Sequence, residues 1–276
     1  MKKPIKELLE FGIINVDKPA GCTSFDVVAK IRDMLKLRKA SHFGTLDPMV
    51  TGVLPIALNR ACKLTGFFIR HDKEYVGEMR IHEDVELDKI EKMIKEKFLG
   101  KIIQLPPVKS RVKRQERERE IMKFEILEKD GKNLKFHSEV EGGTYIRKLV
   151  HDLGQALGIV AHMTGLRRTR AGIFKEKDSI KLEDLEKMNE DDLKKIIIPA
   201  EEAIKKVYPV VQIKKANLEK IFTGKPIHKE DLMEIEEYDK EQIVCIFEED
   251  NFIGMYKIVN EEDVFAKSMF VMQEIR

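Results

Sequence analysis

The amino-acid sequence predicts an α+β fold with a small β-rich domain at its C-terminal end, on three observations. Strand-like alternation and helical spacing succeed each other without a regular βα repeat, which sets the chain apart from doubly wound α/β folds. Two apolar runs, IMKFEILE and NLKFHSEV, flank Lys129-Asp130-Gly131, a strong hairpin signal that requires antiparallel pairing. Near Pro199 to Tyr208 helical spacing gives way to short β-like runs, so a boundary is expected at about residue 206. The expectation is one body over 1–206 and a smaller domain over 207–276. A chain of 276 residues is long enough for both.

The elements follow in order. GIINV (12–16) reads as a buried strand and Asp17-Lys18-Pro19-Ala20-Gly21 as a turn. Thr23 is a candidate N-cap with Asp26 three residues on, ahead of Val27, Val28, Ile31, Met34 and Leu35 at helical spacing. This helix should end near Leu37, and residues 38–51 should form a loop. GVLPIAL (52–58) is strand-like, with Pro55 pushing it toward an edge or a bulge. Tyr75, Gly77, Met79 and Ile81 alternate with Val76, Glu78, Arg80 and His82 as in a strand. Leu87, Ile90, Met93, Ile94 and Phe98 describe an amphipathic helix. Residues 146–157 form a helix with core face Leu149, Val150, Leu153 and Leu157, and Gly158 stands where a C-terminal cap glycine belongs. In the tail, strands are expected over Val207–Ile213, Ile243–Phe247, Phe252–Val259 and Ser268–Gln273. A short helix is expected near 216–222, and Asp250-Asn251 as the hairpin turn.

Composition narrows the class. Hydrophobic residues make up 42% and charged residues 36%, with a formal net charge of +2. That small charge hides an asymmetry. Tyr208 to Arg276 holds 9 Lys and Arg against 15 Asp and Glu, whereas the remainder is net basic. A basic body with an acidic tail suits an anionic partner on the first two-thirds, or simply a soluble mixed surface. Cys22, Cys62 and Cys245 are far apart and form no C-x-x-C, so neither a disulfide framework nor a zinc site is expected, and the cytoplasm is the natural home. The apolar run Phe11 to Val16 is too short for a membrane span, so no membrane partner is expected. The sequence has no G-x-G-x-x-G, Walker A, H-E-x-x-H or G-x-S-x-G pattern, and no deaminase zinc signature. No nucleotide cofactor and no metal is expected.

What remains is a set of polar residues in loops. His42-Phe43-Gly44-Thr45-Leu46-Asp47-Pro48 is the densest. Taken alone, T-L-D-P is most simply a turn in which Asp47 caps backbone and Pro48 sets φ. Tyr75 alone is most simply a strand aromatic, and Gly143-Thr144-Tyr145-Ile146-Arg147 a helix start with a solvated Arg. Lys109 to Arg119 holds six Lys or Arg among eleven residues, with Glu116 and Glu118 interleaved, and Arg167, Arg168 and Arg170 form a second cluster. Such runs are usually solvated faces, but two of them in a basic domain favour phosphate contact.

The order and spacing of these segments carry more than any one of them. G-I-I-N-V-D-K-P-A-G, H-F-G-T-L-D-P-M-V-T-G-V-L-P, K-E-Y, G-G-T-Y-I-R-K-L-V-H-D-L-G and A-H-M-T-G-L-R-R-T together resemble the TruB family of pseudouridine synthases, from about Gly12 to Phe174. The chain resembles the archaeal and eukaryotic dyskerin-like branch more than the bacterial enzyme. K-E-Y-V runs directly into the 86–98 helix, Q-L-P-P-V-K-S-R-V-K-R is similar to that branch's short basic segment, and A-H-M-T-G-L-R-R-T-R-A-G matches it well. The resemblance implies a pseudouridine synthase fold, with a mixed, mainly antiparallel central sheet and a PUA-like RNA-binding domain in the tail.

The resemblance also implies a reaction and roles. The C1′–N1 bond of a uridine breaks, the uracil turns over and a C1′–C5 bond forms, with no metal and no organic cofactor. Asp47 would be the catalytic carboxylate, as nucleophile or as charge stabiliser. Arg147 would pair with it and keep it ionised in a desolvated pocket. Tyr75 would stack on the flipped uracil and take part in proton transfer at C5, with Tyr145 and Leu166 lining the pocket and His42 helping to extrude the base. Lys18 and Pro19 would support the site without reacting. Lys109, Arg111, Lys113, Arg114, Arg167 and Arg168 would hold phosphates, offsetting the few kcal/mol needed to unstack a base. The expected partner is tRNA, at the T-loop uridine (position 55). A second reading is rRNA with a box H/ACA guide RNA and accessory proteins, and a third is a catalytically dead RNA-binding scaffold, against which the full set of Asp47, Tyr75, Tyr145 and Arg147 argues.

Overall fold

The structure is a computed structural model that describes residues 3–106, 113–215, 218–234 and 236–272. In chain order the elements are α1 (Ile5–Glu10), β1 (Gly12–Lys18), α2 (Ser24–Met34), β2 (Ala40–His42), β3 (Thr51–Leu58), α3 (Thr65–Phe68), β4 (Lys73–Ile81), α4 (Leu87–Lys97), β5 (Gly100–Gln104), β6 (Arg117–Asp130), β7 (Asn133–Val140), α5 (Ile146–Leu157), β8 (Ala161–Ala171), β9 (Phe174–Lys175), β10 (Ile180–Lys181), α6 (Leu182–Leu185), α7 (Glu190–Ile196), β11 (Ile198–Pro199), α8 (Ala200–Lys205), β12 (Val210–Gln212), α9 (Leu218–Phe222), β13 (Ile227–His228), β14 (Ile243–Glu248), β15 (Asn251–Glu261) and β16 (Val264–Val271).

Two compact units result: 13–197, and 198–276 together with the first twelve residues. The division therefore falls at Ile198, earlier than the residue 206 expected. The reason is local. Helix α8 buries Ala200, Ala203 and Ile204, and the Ala200 N–H donates to the Phe11 carbonyl at 3.0 Å. Phe11 stacks on Phe252 with ring centroids 5.6 Å apart, which brings the N-terminal segment into the same core. The smaller unit is a five-stranded sheet in the order β12-β14-β15-β16-β13. Its hairpin turns at Glu249-Asp250, one residue before the expected position, with Glu249 at φ 52°.

The larger unit is built on a mixed sheet of order β10-β1-β3-β8-β4-β7-β6-β5, with β2 added to β3 and β9 to β8. Strands β1 and β10, and β3 and β8, are parallel. The remaining junctions along that order are antiparallel. The α+β reading is borne out. The parallel β3–β8 junction is only two residue pairs long, Thr51 with Arg167 and Gly52 with Arg168. It joins a mixed section, β10-β1-β3, to an antiparallel one, β8-β4-β7-β6-β5. No helix of the described residues is long and apolar enough to cross a membrane.

Local chemistry explains most element limits. The Asp26 N–H donates to the Thr23 hydroxyl at 3.0 Å, and the Thr23 N–H donates to Asp26 at 2.8 Å, a reciprocal cap that starts α2. Helix α5 buries Leu149, Val150, Leu153 and Leu157, and Gly158 closes it at φ 75°. The expected 38–51 loop contains the short strand β2. Pro55 lies in the sheet interior and not at an edge, opposite Asn15 of β1. It is tolerated because the N and C=O of a strand residue face the same side, and its carbonyl accepts from the Phe43 N–H at 3.0 Å, just past the end of β2. The missing N–H therefore falls where no ladder runs.

Gly52 shows the tightest backbone approach at the junction. Its φ is +99°, and a Cβ there would lie 2.2 Å from the Arg168 carbonyl oxygen. Gly52→Ala is therefore expected to destabilise the larger unit by about 2 kcal/mol or more, through strain at positive φ and loss of the β3–β8 pairing. A urea unfolding midpoint within error of the wild type would show that the junction relaxes without cost.

Candidate active site

The site grows from the loop between β2 and β3. The Ser24 hydroxyl donates to the Leu46 carbonyl at 3.1 Å and accepts from the Leu46 N–H at 2.8 Å, tying the loop to α2. Beneath it Lys18 is fully buried, and its ammonium donates to the carbonyls of Pro19 (2.8 Å), Pro48 (3.0 Å) and Val50 (2.8 Å). Burial lowers its pKa, with Cys22, Asp47 and Asp26 opposing. Two of those three carbonyls, Pro48 and Val50, follow Asp47 within three residues, so this buried cation fixes the loop from below. Pro19 itself is exposed and contributes its carbonyl. Behind the loop, Phe43, Phe68 and Phe174 pack as an aromatic trio with centroids 4.6 to 5.9 Å apart.

The loop borders a cavity of about 630 Å³. Asp47, Tyr75, Tyr145, Arg147 and Leu166 all line it, although they come from a loop, β4, the start of α5 and β8. Arg147 donates to the Asp47 carboxylate, closing an ion pair across 100 residues of chain. Both side chains remain half exposed, at 53% and 57%. The pair expected from the sequence is present, but the desolvated surroundings are not: the cavity is open, and only a bound ligand would strip water from the pair.

Tyr75 is buried to 8% exposure. It stands opposite Arg168 in the β4–β8 ladder, close enough to the guanidinium to act on its pKa. Tyr145 precedes the first turn of α5, and no side chain of its own caps that helix. Instead Gln104, itself buried, accepts from the Tyr145 N–H at 3.0 Å and donates to its carbonyl at 3.3 Å. The double glycine before it is a matter of space. A Cβ on Gly142 would come within 2.6 Å of the Arg70 carbonyl oxygen, and one on Gly143 within 3.3 Å of the Arg119 guanidinium.

Three expectations need correction. Arg168 does not face outward to phosphate: it is 1% exposed, and donates from Nε to the Val53 carbonyl at 2.7 Å and from a terminal nitrogen to the Gly44 carbonyl at 3.0 Å. Burial lowers its pKa, with Tyr75 opposing. Arg167 is held by two carboxylates, Asp17 at 2.9 Å and Glu176 at 2.5 Å, so its charge is already matched. His42 does not line the cavity. Its Nδ1 accepts from the Gly44 N–H at 3.3 Å, and burial followed by Arg168 lowers its pKa, which suits a neutral acceptor at the foot of the loop. Lys113 and Arg114 are exposed, as phosphate contacts require, whereas Lys109 and Arg111 lie outside the described residues.

Sequence reasoning missed several cavity residues: Arg70, Lys73, Arg117, Arg119 and Met163. Lys73, in K-E-Y, is 4% exposed and donates to the carbonyls of Ile69 (2.6 Å) and His71. Burial, then the nearby Arg168 and Arg170, bring its ammonium from the ordinary 10.5 down to about 7, with Asp72 opposing. Between about pH 7 and 10.5 the unfolded chain holds a proton that the folded chain has released, so stability rises with pH across that window. Below about pH 7 the cost of burying the charged form is fully present. Lys73→Met should flatten this rise, gaining on the wild type near neutral pH and losing that gain as pH approaches 10. Urea midpoints across the window provide the check, and parallel profiles for the two proteins would contradict it.

Comparison with known proteins places this geometry in a family. Residues 32–146 match the family described as "TruB family pseudouridylate synthase (N terminal domain)", and residues 147–205 match "tRNA pseudouridylate synthase B C-terminal domain". The chain is 43% identical over 231 residues to a "Probable tRNA pseudouridine synthase B" of Methanopyrus kandleri, covering 81% of this chain and 68% of that protein. It is 48% identical over 222 residues to the protein of that name from Pyrococcus abyssi, covering 77% and 66%. Among solved structures, a "Cbf5-Nop10-Gar1 Complex" aligns with TM-score 0.89 at 38% identity, covering 98% of this chain and 87% of the matched chain. The structure titled "H/ACA RNP bound to a substrate RNA containing 2'-deoxyuridine" aligns at 0.87 and 36%, covering 99% and 88%. These matches extend across the loop, strands and helix that frame the Asp47–Arg147 pair, and the chain belongs to the TruB family of pseudouridylate synthases.

Proposed function

We propose that this pseudouridine synthase acts on the T-loop uridine (position 55) of tRNA in the cytoplasm, with Asp47 as the reacting carboxylate. The observation that carries the assignment is the Asp47–Arg147 ion pair at the wall of a cavity that also holds Tyr75, Tyr145 and Leu166. The relatives' printed names support tRNA as the substrate. The reaction is an isomerisation. The C1′–N1 bond breaks, N1 gains a proton, C5 loses one, and C1′ bonds to C5. The Asp47 carboxylate stabilises or bonds the electron-poor centre formed on the way. Arg147 holds that carboxylate in place and keeps it anionic once RNA closes over the pair. Tyr75 offers a π-face to the uracil, with Leu166 and Tyr145 as walls. The smaller unit acts as a PUA-like RNA-binding domain. Lys113 and Arg114, with Lys109 and Arg111, supply phosphate contacts.

A second reading has one specific support: the close structural likeness to a chain of the H/ACA structure bound to substrate RNA. In it the same site acts on RNA presented by a guide with accessory proteins. Purified chain incubated with an unmodified tRNA transcript separates the two readings. Pseudouridine at the T loop without guide supports the first, and product only after adding guide RNA and accessory proteins supports the second.

Asp47→Asn tests the central assignment. Asn is nearly isosteric but bears no charge, so single-turnover conversion should fall by several orders of magnitude while RNA affinity stays within roughly tenfold, because phosphate contacts dominate binding. Near-normal conversion by the folded variant would reduce Asp47 to a turn cap, a role Asn fills well. Conversion should also survive exhaustive chelation, since no group of three or more candidate metal ligands occurs among the described residues. Activity lost in chelator and restored by one divalent ion, with RNA folding controlled, would reveal a metal requirement.

A further inference from the structure

We propose that Arg117 and Arg119 form a phosphate site at the mouth of the cavity, fixing the backbone of the nucleotide whose base enters it. The inference rests on the pseudouridine synthase reading and assigns a positioning role within that same site. It begins in the alternation of β6. Arg117 and Arg119 are both partly buried, whereas Glu118 and Glu120 are exposed. Successive strand residues face opposite sides, so Arg-Glu-Arg-Glu places both guanidinium groups toward the cavity and both carboxylates away from it.

The charge balance of the cavity calls for an anion. Its basic lining consists of Arg70, Lys73, Arg117, Arg119, Arg147 and Arg168 against the single carboxylate of Asp47. Three of these cations are occupied: Arg147 by Asp47, and Lys73 and Arg168 by backbone carbonyls. Arg119 donates to the Glu118 carbonyl at 2.9 Å and lies 3.6 Å from Glu141, too few contacts to use the five donors of a guanidinium. Arg117 is looser still. Its terminal nitrogen reaches the Lys113 carbonyl only at 3.4 Å, and its Nε is buried without a partner among the described residues. A buried donor without a partner is costly unless a ligand completes it.

The placement suits a phosphodiester. Residues two apart on a strand set the groups roughly 7 Å apart, on the scale of adjoining phosphates in an unstacked strand. Planar guanidinium forks match phosphate oxygens. Gly143 lets Arg119 lie against the segment that leads into Tyr145 and Arg147, while Arg117 stands opposite Gln104, the residue that clamps the Tyr145 backbone. Phosphates gripped here set where the sugar C1′ stands relative to Asp47, so the effect should appear in rate as well as affinity.

The test uses the full chain and an RNA that the wild type is first shown to convert, alone or in a guide-directed assembly. Failure of the tRNA reading is thereby recognised before this experiment begins. Single methylphosphonate linkages, which are uncharged, are introduced on either side of the target uridine. At least one should weaken wild-type binding about five- to tenfold. In the double variant Arg117→Gln/Arg119→Gln the same linkage should cause no further loss, and the log–log salt slope should fall by up to about two. Single-turnover rate at saturating enzyme should drop as well, and Arg117→Lys/Arg119→Lys should recover part of both losses. The Lys variants and thermal midpoints guard against misfolding. Equal methylphosphonate losses in wild type and double variant, or no loss in the wild type, would overturn the assignment.

Discussion

The buried guanidinium of Arg168 is the constraint around which the site is arranged. It is almost completely removed from solvent and reaches three separate parts of the chain: the Val53 carbonyl on β3, the Gly44 carbonyl in the Asp47 loop, and Tyr75 on β4. A cation so placed is tolerated only where its donors are matched. The matching imposes geometry on everything nearby. Gly52 must lack a side chain because the Arg168 backbone passes against it, and Gly44 faces the same guanidinium at close range. Lys18 performs a parallel task one layer below, with its three carbonyl contacts. Two buried cations thus fix the positions of the carboxylate and the aromatic ring.

The contrast between the two kinds of cation explains the electrostatics of the cavity. Those that build the site are buried and matched by carbonyls. Those that face the opening are less fully matched, and they outnumber the one carboxylate. Asp47 sits half exposed beside Arg147, so the free protein keeps this carboxylate hydrated. Substrate RNA supplies both the compensating charge and the exclusion of water. The same arrival that completes the charge balance therefore strengthens the interaction between Asp47 and Arg147.

How much of this was legible in the sequence depended on the kind of signal. Helix α5 was legible to the residue, because its apolar spacing and closing glycine agree. The α+β class followed from the hairpin and the irregular order of elements, and Asp47, Tyr75, Tyr145, Arg147 and Leu166 from the ordered motifs. Arg167 and Arg168 were misread as surface cations because adjacency in sequence hides that strand neighbours face opposite sides, and because nothing in R-R-T-R reports burial. Arg117 and Arg119 were absorbed into a basic run, since charged residues on both faces of β6 conceal its period of two. Pro55 looked like an edge residue because the local sequence cannot show that β2 stops just short of it. Lys73 and Gln104 act through backbone carbonyls and an amide, contacts with no residue-type signature.

The short parallel junction between β3 and β8 has a consequence for how the chemistry is owned by the chain. One section of the sheet brings Asp47; the other brings Tyr75, Arg147, Leu166 and Arg168. Only two residue pairs of strand ladder join them, reinforced by the side chains of Arg167 and Arg168, and the cleft opens beside that junction. The enzyme is in this sense a heterodimer written as a single polypeptide. Neither section carries all the groups that line the cavity, and the set exists only as a property of their union. A mutation that weakens this pairing without touching any lining residue therefore disturbs the alignment of Asp47 with Tyr75 and Arg147 across the cleft.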